Sequence, residues 1–289
     1  MELKHNPLAL LERVCFNFQD KCNMNCPYCY IPFTRERVEL DRCIAVVKRC
    51  AELGVKVITF GGGDPFLLSG FSELLRRTAN LGIEIHIDTN GTKLSNKDYD
   101  LVEETTSLIA LPLDGPNGEI HAAMRESEDH FQIILRHLEI LRNRTIKVKI
   151  NTVVSSLNYQ SITEIGEMLK SYRINIWSLY QFWPLHNARF EKNKYNLPDA
   201  LFDNLIEEIL ASKYPFRIEP GPIRERYGTY LFVSHTGSLY THDQNSTSEY
   251  KVLGSIFDDS TIELWQQLHG HSIRDQARAR YISLRSNSK

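Results

Sequence analysis

Short runs rich in Val, Ile and Phe alternate, over two-thirds of the chain, with segments whose apolar residues recur every three to four positions. The short runs predict strands buried on both faces, and the longer period predicts helices with one packed face. Strands are expected at Arg13 to Phe18, Val55 to Phe60, Glu84 to Asp88, Leu108 to Leu113, Lys147 to Val154 and Ile174 to Tyr180. Helices are expected at about Leu40 to Leu53, Phe71 to Leu81, Asn96 to Glu104, Asp129 to Arg142, Ile162 to Tyr172 and Asp199 to Ser212. Repeated βα units imply a parallel sheet with right-handed crossovers, which gather the C-terminal strand ends on one face. Six units are too few for an eight-stranded barrel and suit an α/β fold of the open kind, a partial (β/α)6 TIM-like barrel. Chemistry is expected on that face alone.

After Pro215 the pattern changes. Thr229 to Val233 and Leu239 to Asp243, joined by His235-Thr236-Gly237-Ser238, predict a β-hairpin, and Thr261 to Leu268 predicts a final amphipathic helix. The expected division is a barrel over residues 1–215 and a small extension over 216–289 that caps the substrate opening. Its basic tail, Ser272 to Lys289, reads as disordered or loosely packed.

The 289 residues are 42% hydrophobic and 24% charged, with a net charge of -2, so no global basic field exists to hold nucleic acid or an anionic membrane. No apolar run approaches the roughly 20 residues that span a bilayer, and the N-terminus lacks signal-peptide character. A cytoplasmic protein is expected. All six cysteines fall between Cys15 and Cys50, too few for a disulfide framework and clustered as a site would be.

Cys22-Asn23-Met24-Asn25-Cys26-Pro27-Tyr28-Cys29 follows the first strand directly. Three thiolates on a loop whose Pro27 discourages helix can converge on one soft metal centre. A closed zinc site needs a fourth ligand, and no second Cys-x-x-Cys or His pair supplies one. An iron-sulfur cluster on three thiolates keeps one iron open for another ligand.

This Cys-x-x-x-Cys-x-aromatic-Cys loop at the end of a first strand resembles the radical S-adenosylmethionine superfamily, and further motifs follow the later strands in order. Gly61-Gly62-Gly63-Asp64-Pro65 resembles the family's Gly-Gly-Glu-Pro turn at the methionine amino group, with Asp64 one methylene shorter than the usual Glu. Thr89-Asn90-Gly91 matches a turn whose Asn reaches S-adenosylmethionine. Leu113-Asp114-Gly115-Pro116 with His121 and Arg125 resembles the peptide-modifying members, in which the Arg pairs with the methionine carboxylate. Asn151-Thr152-Val153-Val154 with Asn158 resembles the molybdenum-cofactor cyclases and viperin-like enzymes, where apolar side chains flank adenine; Val153 and Val154 read equally well as core.

The resemblance implies one 4Fe-4S cluster on Cys22, Cys26 and Cys29, with S-adenosylmethionine bound by Tyr28, Gly61, Gly62, Gly63, Asp64, Asn90, Arg125, Asn151 and Val153. Reductive cleavage would give a 5′-deoxyadenosyl radical that abstracts hydrogen from substrate, and the electrons would come from a reductase such as flavodoxin or ferredoxin. Gln181, Trp183 and His186 after the sixth strand, with Tyr240 and His242 on the hairpin, are the expected substrate contacts. Cys15, on the first strand, is the candidate hydrogen donor, whereas Cys43 and Cys50, seven apart on a helix, read as packed thiols. No cysteine follows Cys50, so the extension has none with which to hold an auxiliary cluster. The favoured substrate is a small molecule such as a sugar, nucleotide or natural-product intermediate, to be epimerised, dehydrogenated, dehydrated or cyclised. A ribosomal precursor peptide is the alternative, and a non-catalytic iron-sulfur protein the second.

Overall fold

The structure, a computed structural model, describes residues 13–19, 21–32, 37–243 and 250–269. The basic tail expected at Ser272 to Lys289 lies outside them.

Strands β1 (Arg13–Gln19), β2 (Val57–Gly62), β3 (Glu84–Asp88), β4 (Leu108–Pro112), β5 (Lys147–Val154), β6 (Ile176–Gln181) and β7 (Arg217–Gly221) pair in sequence order, every pair parallel. Between them run α1 (Leu40–Glu52), α2 (Phe71–Asn80), α3 (Asp98–Thr105), α4 (Gly118–Arg125), α5 (His130–Leu141), α6 (Ile162–Leu169), α7 (Lys192–Tyr195) and α8 (Asp199–Ala211). Three more strands, β8 (Phe232–Ser234), β9 (Ser238–His242) and β10 (Tyr250–Ser255), precede α9 (Asp259–His269). The ten-stranded sheet has the order β10-β9-β8-β1-β2-β3-β4-β5-β6-β7 and does not close. No helix among the described residues is long and apolar enough to cross a membrane.

Side-chain alternation positions the site. On β1, Val14, Phe16 and Phe18 point outward and are buried under the helices, where Phe18 stacks on Phe71 and meets Phe60 edge-on. Arg13, Cys15 and Asn17 therefore face the concave side, level with Thr59 and Gly61 of β2. The same alternation turns Asp88, Lys149, Asn151 and Tyr180 inward. Burying apolar side chains at roughly 25 cal/mol per Å2 holds the helices to the convex face, and the concave face is left for polar groups.

The sheet runs further than the sequence indicates. Ending the barrel at residue 215 leaves β7 in the extension, because Pro220 and Gly221 in a five-residue stretch look like a turn. At this end of the sheet a proline is tolerated, since its missing N–H removes no ladder bond on the open side. The expected hairpin forms and joins the sheet: β8 pairs in parallel with β1, Cys15 opposite Phe232, and β9 and β10 continue the sheet antiparallel. Cys43 and Cys50 are buried on α1, as packed thiols.

Candidate active site

A cavity of about 270 Å3 opens at the C-terminal ends of the strands. Cys22, Cys26 and Cys29, all half-buried, line it on the loop after β1. A turn over Pro27 and Tyr28, closed by the Cys29 amide donating to the Cys26 carbonyl at 3.1 Å, brings the last two together. Among the described residues no three His, Cys, Asp or Glu side chains gather tightly enough to hold one metal ion. Burial raises the thiols of Cys26 and Cys29, the latter to about 12, while the Arg125 cation pulls both down.

Gly61, Gly62 and Gly63 line the same cavity. Gly62 has φ 106, a conformation side chains resist, and a Cβ on Gly63 would lie 1.9 Å from the Lys21 carbonyl oxygen. The glycines thus let the cysteine loop seat on β2, beyond any service to a ligand. Asp64 is not part of the cavity lining. Its buried carboxylate accepts from the Phe66 amide (3.0 Å), the Thr89 hydroxyl (2.7 Å) and the Asn90 amide (2.8 Å). One shorter side chain has become a clamp between the β2 and β3 loops. Clamped there, Asn90 directs Nδ2 to the Cys22 sulfur at 3.5 Å and to the Asn23 oxygen at 3.1 Å.

Arg125 ends α4, buried, and is no solvated surface charge. Its Nε donates to Asp114 at 2.6 Å, its NH1 lies 3.7 Å from the Cys26 sulfur, and its guanidinium lies over the Tyr28 ring. Asp114 is the hub, for its two oxygens also accept from the Tyr28 hydroxyl and the Val153 amide, each at 2.7 Å. Tyr28 lines the cavity with its hydroxyl committed to that hub. Val153 lines the cavity and Val154 is buried core.

Deeper in, Asn151 and Cys15 line the wall with Arg13, Asp88 and Lys149. Asp88 is enclosed by protein yet bare toward the cavity; burial raises its pKa, against Lys149, Arg13 and a hydrogen bond from Asn151. Lys149 lies 3.3 Å from Glu219 of β7 and donates to the Tyr180 hydroxyl at 3.2 Å. Burial raises the Cys15 thiol to about 11, so it stays protonated.

The expected substrate contacts divide. Trp183 lines the cavity beneath the Arg226 guanidinium, 4.2 Å from the ring centre, and packs against Tyr30 and Tyr227. Gln181 reaches the cavity wall, but its amide is spent on structure: it donates to the Leu197 carbonyl (3.0 Å) and Asp199 (2.7 Å) and accepts from the Ile223 amide (2.9 Å). His186, Tyr240 and His242 stand behind the cavity wall rather than in it. The Asn17 amide holds the Tyr240 hydroxyl at 2.9 Å, and His242 packs between Trp183, Phe232 and His186. Tyr230, Phe232 and Arg226 take the place expected of them. Arg13, Asp88 and Lys149 carry no motif signal beyond inward alternation on their strands, and Asp114, though part of the Leu-Asp-Gly-Pro motif, is given no role of its own by that resemblance.

The family model described as "Radical SAM superfamily" matches residues 16–169. A protein of Flammeovirga pacifica named S-adenosylmethionine-dependent nucleotide dehydratase is 27% identical over 221 residues, covering 72% of this chain and 70% of that protein. One of the same name from Selenomonas ruminantium is 25% identical over 269 residues, covering 89% and 94%. The chain spans about half the length of two other relatives, a third such dehydratase and an AdoMet-dependent heme synthase. Among solved structures, Streptococcus suis SuiB bound to S-adenosylmethionine superposes with a TM-score of 0.70 at 13% identity, covering 88% of this chain and 65% of that one, a likeness of fold.

Proposed function

Since the chain belongs to the radical S-adenosylmethionine superfamily, we propose that it cleaves S-adenosylmethionine reductively and abstracts hydrogen from a small polar molecule. The observation that carries this reading is the meeting, at one cavity, of three cysteines, a glycine turn and a buried arginine, each from the loop or helix after a different strand. The donor set fits one 4Fe-4S cluster on Cys22, Cys26 and Cys29, with a coordination site left for S-adenosylmethionine. Bound together, cluster and S-adenosylmethionine supply one-electron chemistry strong enough to take hydrogen from an unactivated C–H bond.

The chain's own residues bind, orient and shield. Gly61 to Gly63 offer main chain without side-chain bulk, and Asn90 offers an amide beside Cys22. Arg125, held by Asp114, keeps its terminal nitrogens for a carboxylate. Trp183, Tyr230 and Phe232 wall the cavity, excluding water and stray hydrogen donors. Asp88, Asn151, Lys149 and Arg13 give the interior the polarity that a sugar-like or nucleotide substrate needs, and relatives named nucleotide dehydratase favour that class. Cys15, a protonated thiol on the cavity wall, is the candidate to return a hydrogen atom, which its place in the lining supports. A cytosolic setting, where thiols stay reduced, and a flavodoxin or ferredoxin donor complete the reading.

Anaerobic protein reconstituted with iron and sulfide, reduced with dithionite, would be given S-adenosylmethionine and a panel of nucleotides, nucleotide sugars and precursor-like peptides. Faster 5′-deoxyadenosine release with a nucleotide or sugar supports the reading. Stimulation by peptide alone replaces it with the peptide-modifying alternative.

A further inference from the structure

Between the two halves of the site runs a chain of hydrogen bonds through two buried histidines that no step above uses. The Asp114 amide donates to Nδ1 of His121 at 3.1 Å, Nε2 of His121 lies 2.8 Å from Nδ1 of His130, and Nε2 of His130 lies 2.7 Å from the Asn90 carbonyl oxygen. Its two ends permit one proton arrangement. An amide N–H only donates and a carbonyl only accepts, so each histidine accepts at Nδ1 and carries its proton on Nε2. Every bond then points from Asp114 toward Asn90.

The strand pairing of β3 with β4 runs only to Asp88 and Ala110, so the loops beyond need another tie. His121 comes from α4, while His130 is the first residue of α5. Glu126, in the left-handed conformation at φ 55, turns the chain between the two helices. The imidazoles stack with centres 5.0 Å apart and planes 17° from parallel, and Phe131 packs on His121. What they join matters: Asn90 touches the Cys22 sulfur, and Asp114 holds Arg125 against Cys26.

We infer that His121 and His130 are positioning residues, a neutral strut of fixed tautomers that holds the Asn90 turn and the Asp114–Arg125 pair in register across the S-adenosylmethionine site. The inference rests on the functional reading above for the identity of that site. A further proton on either ring would set N–H against N–H. The groups facing the pair are Arg125 on α4, Asp114 on the β4 loop and His137 on α5. Burial first, and the Arg125 cation second, push His121 down to about 3 and His130 down to about 4, with Asp114 opposing. The strut therefore stays neutral wherever the enzyme works.

Two measurements on the cluster-loaded protein test it. The first is the nitrogen-15 spectrum of labelled histidine in the oxidised state, assigned with His121→Phe and His130→Phe. Both rings should be Nε2–H tautomers from about pH 8 to about pH 5; an Nδ1–H tautomer at either overturns the strut. The second is the dissociation constant for S-adenosylmethionine. His130→Phe, which keeps ring volume, should weaken binding about tenfold at unchanged iron content, and His130→Gln, which keeps an N–H for the Asn90 carbonyl, should recover most of it. Wild-type affinity in His130→Phe also overturns the strut. A wild-type protein that binds no S-adenosylmethionine sinks the functional reading instead, and the tautomers still judge the strut.

Discussion

The Nε of Arg125 lies 2.6 Å from Oδ2 of Asp114, in a pair buried to 9% and 0% exposure. Such a pair fixes where the guanidinium's other nitrogens point before any ligand arrives. Removing one partner strands a buried charge, at about 3 to 5 kcal/mol. Arg125→Ala should weaken S-adenosylmethionine binding by at least about tenfold, and Asp114→Asn should weaken it too, although Asp114 offers the ligand nothing. Titration calorimetry of the loaded protein checks both; wild-type affinity in Asp114→Asn would show that the pair does not orient the site.

Gly63→Ala puts a methyl group 1.9 Å from the Lys21 carbonyl carbon's oxygen, against backbone that has no rotamer to change. The cysteine loop must move off β2. Iron bound per chain should drop sharply, while Gly82→Ala, whose Cβ meets nothing within 4 Å, should leave it intact despite a strained φ of 76. Equal iron in the two variants contradicts the seating.

Lys149, on the cavity wall, and Glu219 are both buried and lie 3.3 Å apart. Lys149→Met should destabilise the fold by less than the roughly 3 to 5 kcal/mol of a fully stranded charge, because Glu219 keeps the Arg217 guanidinium and the Ser178 hydroxyl as partners; Lys149→Met with Glu219→Gln should cost less still. Urea unfolding of the two variants compares them, and an equal or greater loss in the double variant would show that the carboxylate is not stranded.

Acid should unfold the protein through its histidines. Burial lowers His86 to about 4, His121 to about 3 and His130 to about 4. The unfolded chain therefore binds these protons first. Stability from all three is present above about pH 6.5 and is lost as pH falls toward 4 and 3, at up to about 1.4 kcal/mol per pH unit for each. Glu219, held down to about 2 by Lys149 and Arg217 against burial, adds a loss below the ordinary carboxylate range. Chemical denaturation at a series of pH values reads the slope, and a flat profile between pH 6.5 and 4.5 contradicts the neutral, buried histidines.

Much of this site is legible in the sequence because its parts are local. Cys22, Cys26 and Cys29 share one loop, the glycine triplet announces a close approach, and strand-helix alternation places each motif on one face. Asp88, Lys149 and Glu219 are less visible, since facing inward depends on register across β3, β5 and β7. β7 itself is hidden by Pro220, whose tolerance depends on an edge that only the assembled sheet has. The partners of Asp64 are hidden for a related reason. A carboxylate one methylene shorter than the motif's own finds nearer partners in Thr89 and Asn90, and distance along the chain gives no sign of them.

The central claim is that Cys22, Cys26 and Cys29 hold a cluster that cleaves S-adenosylmethionine at this cavity. Its most direct measurement is the 5′-deoxyadenosine formed by anaerobically reconstituted, dithionite-reduced protein, alongside iron and sulfide content. About four iron and four sulfide per chain, with 5′-deoxyadenosine made by the wild type and none by the variant with all three cysteines replaced by alanine, is the predicted result. Stoichiometric zinc, or 5′-deoxyadenosine undiminished in the triple variant, would contradict it.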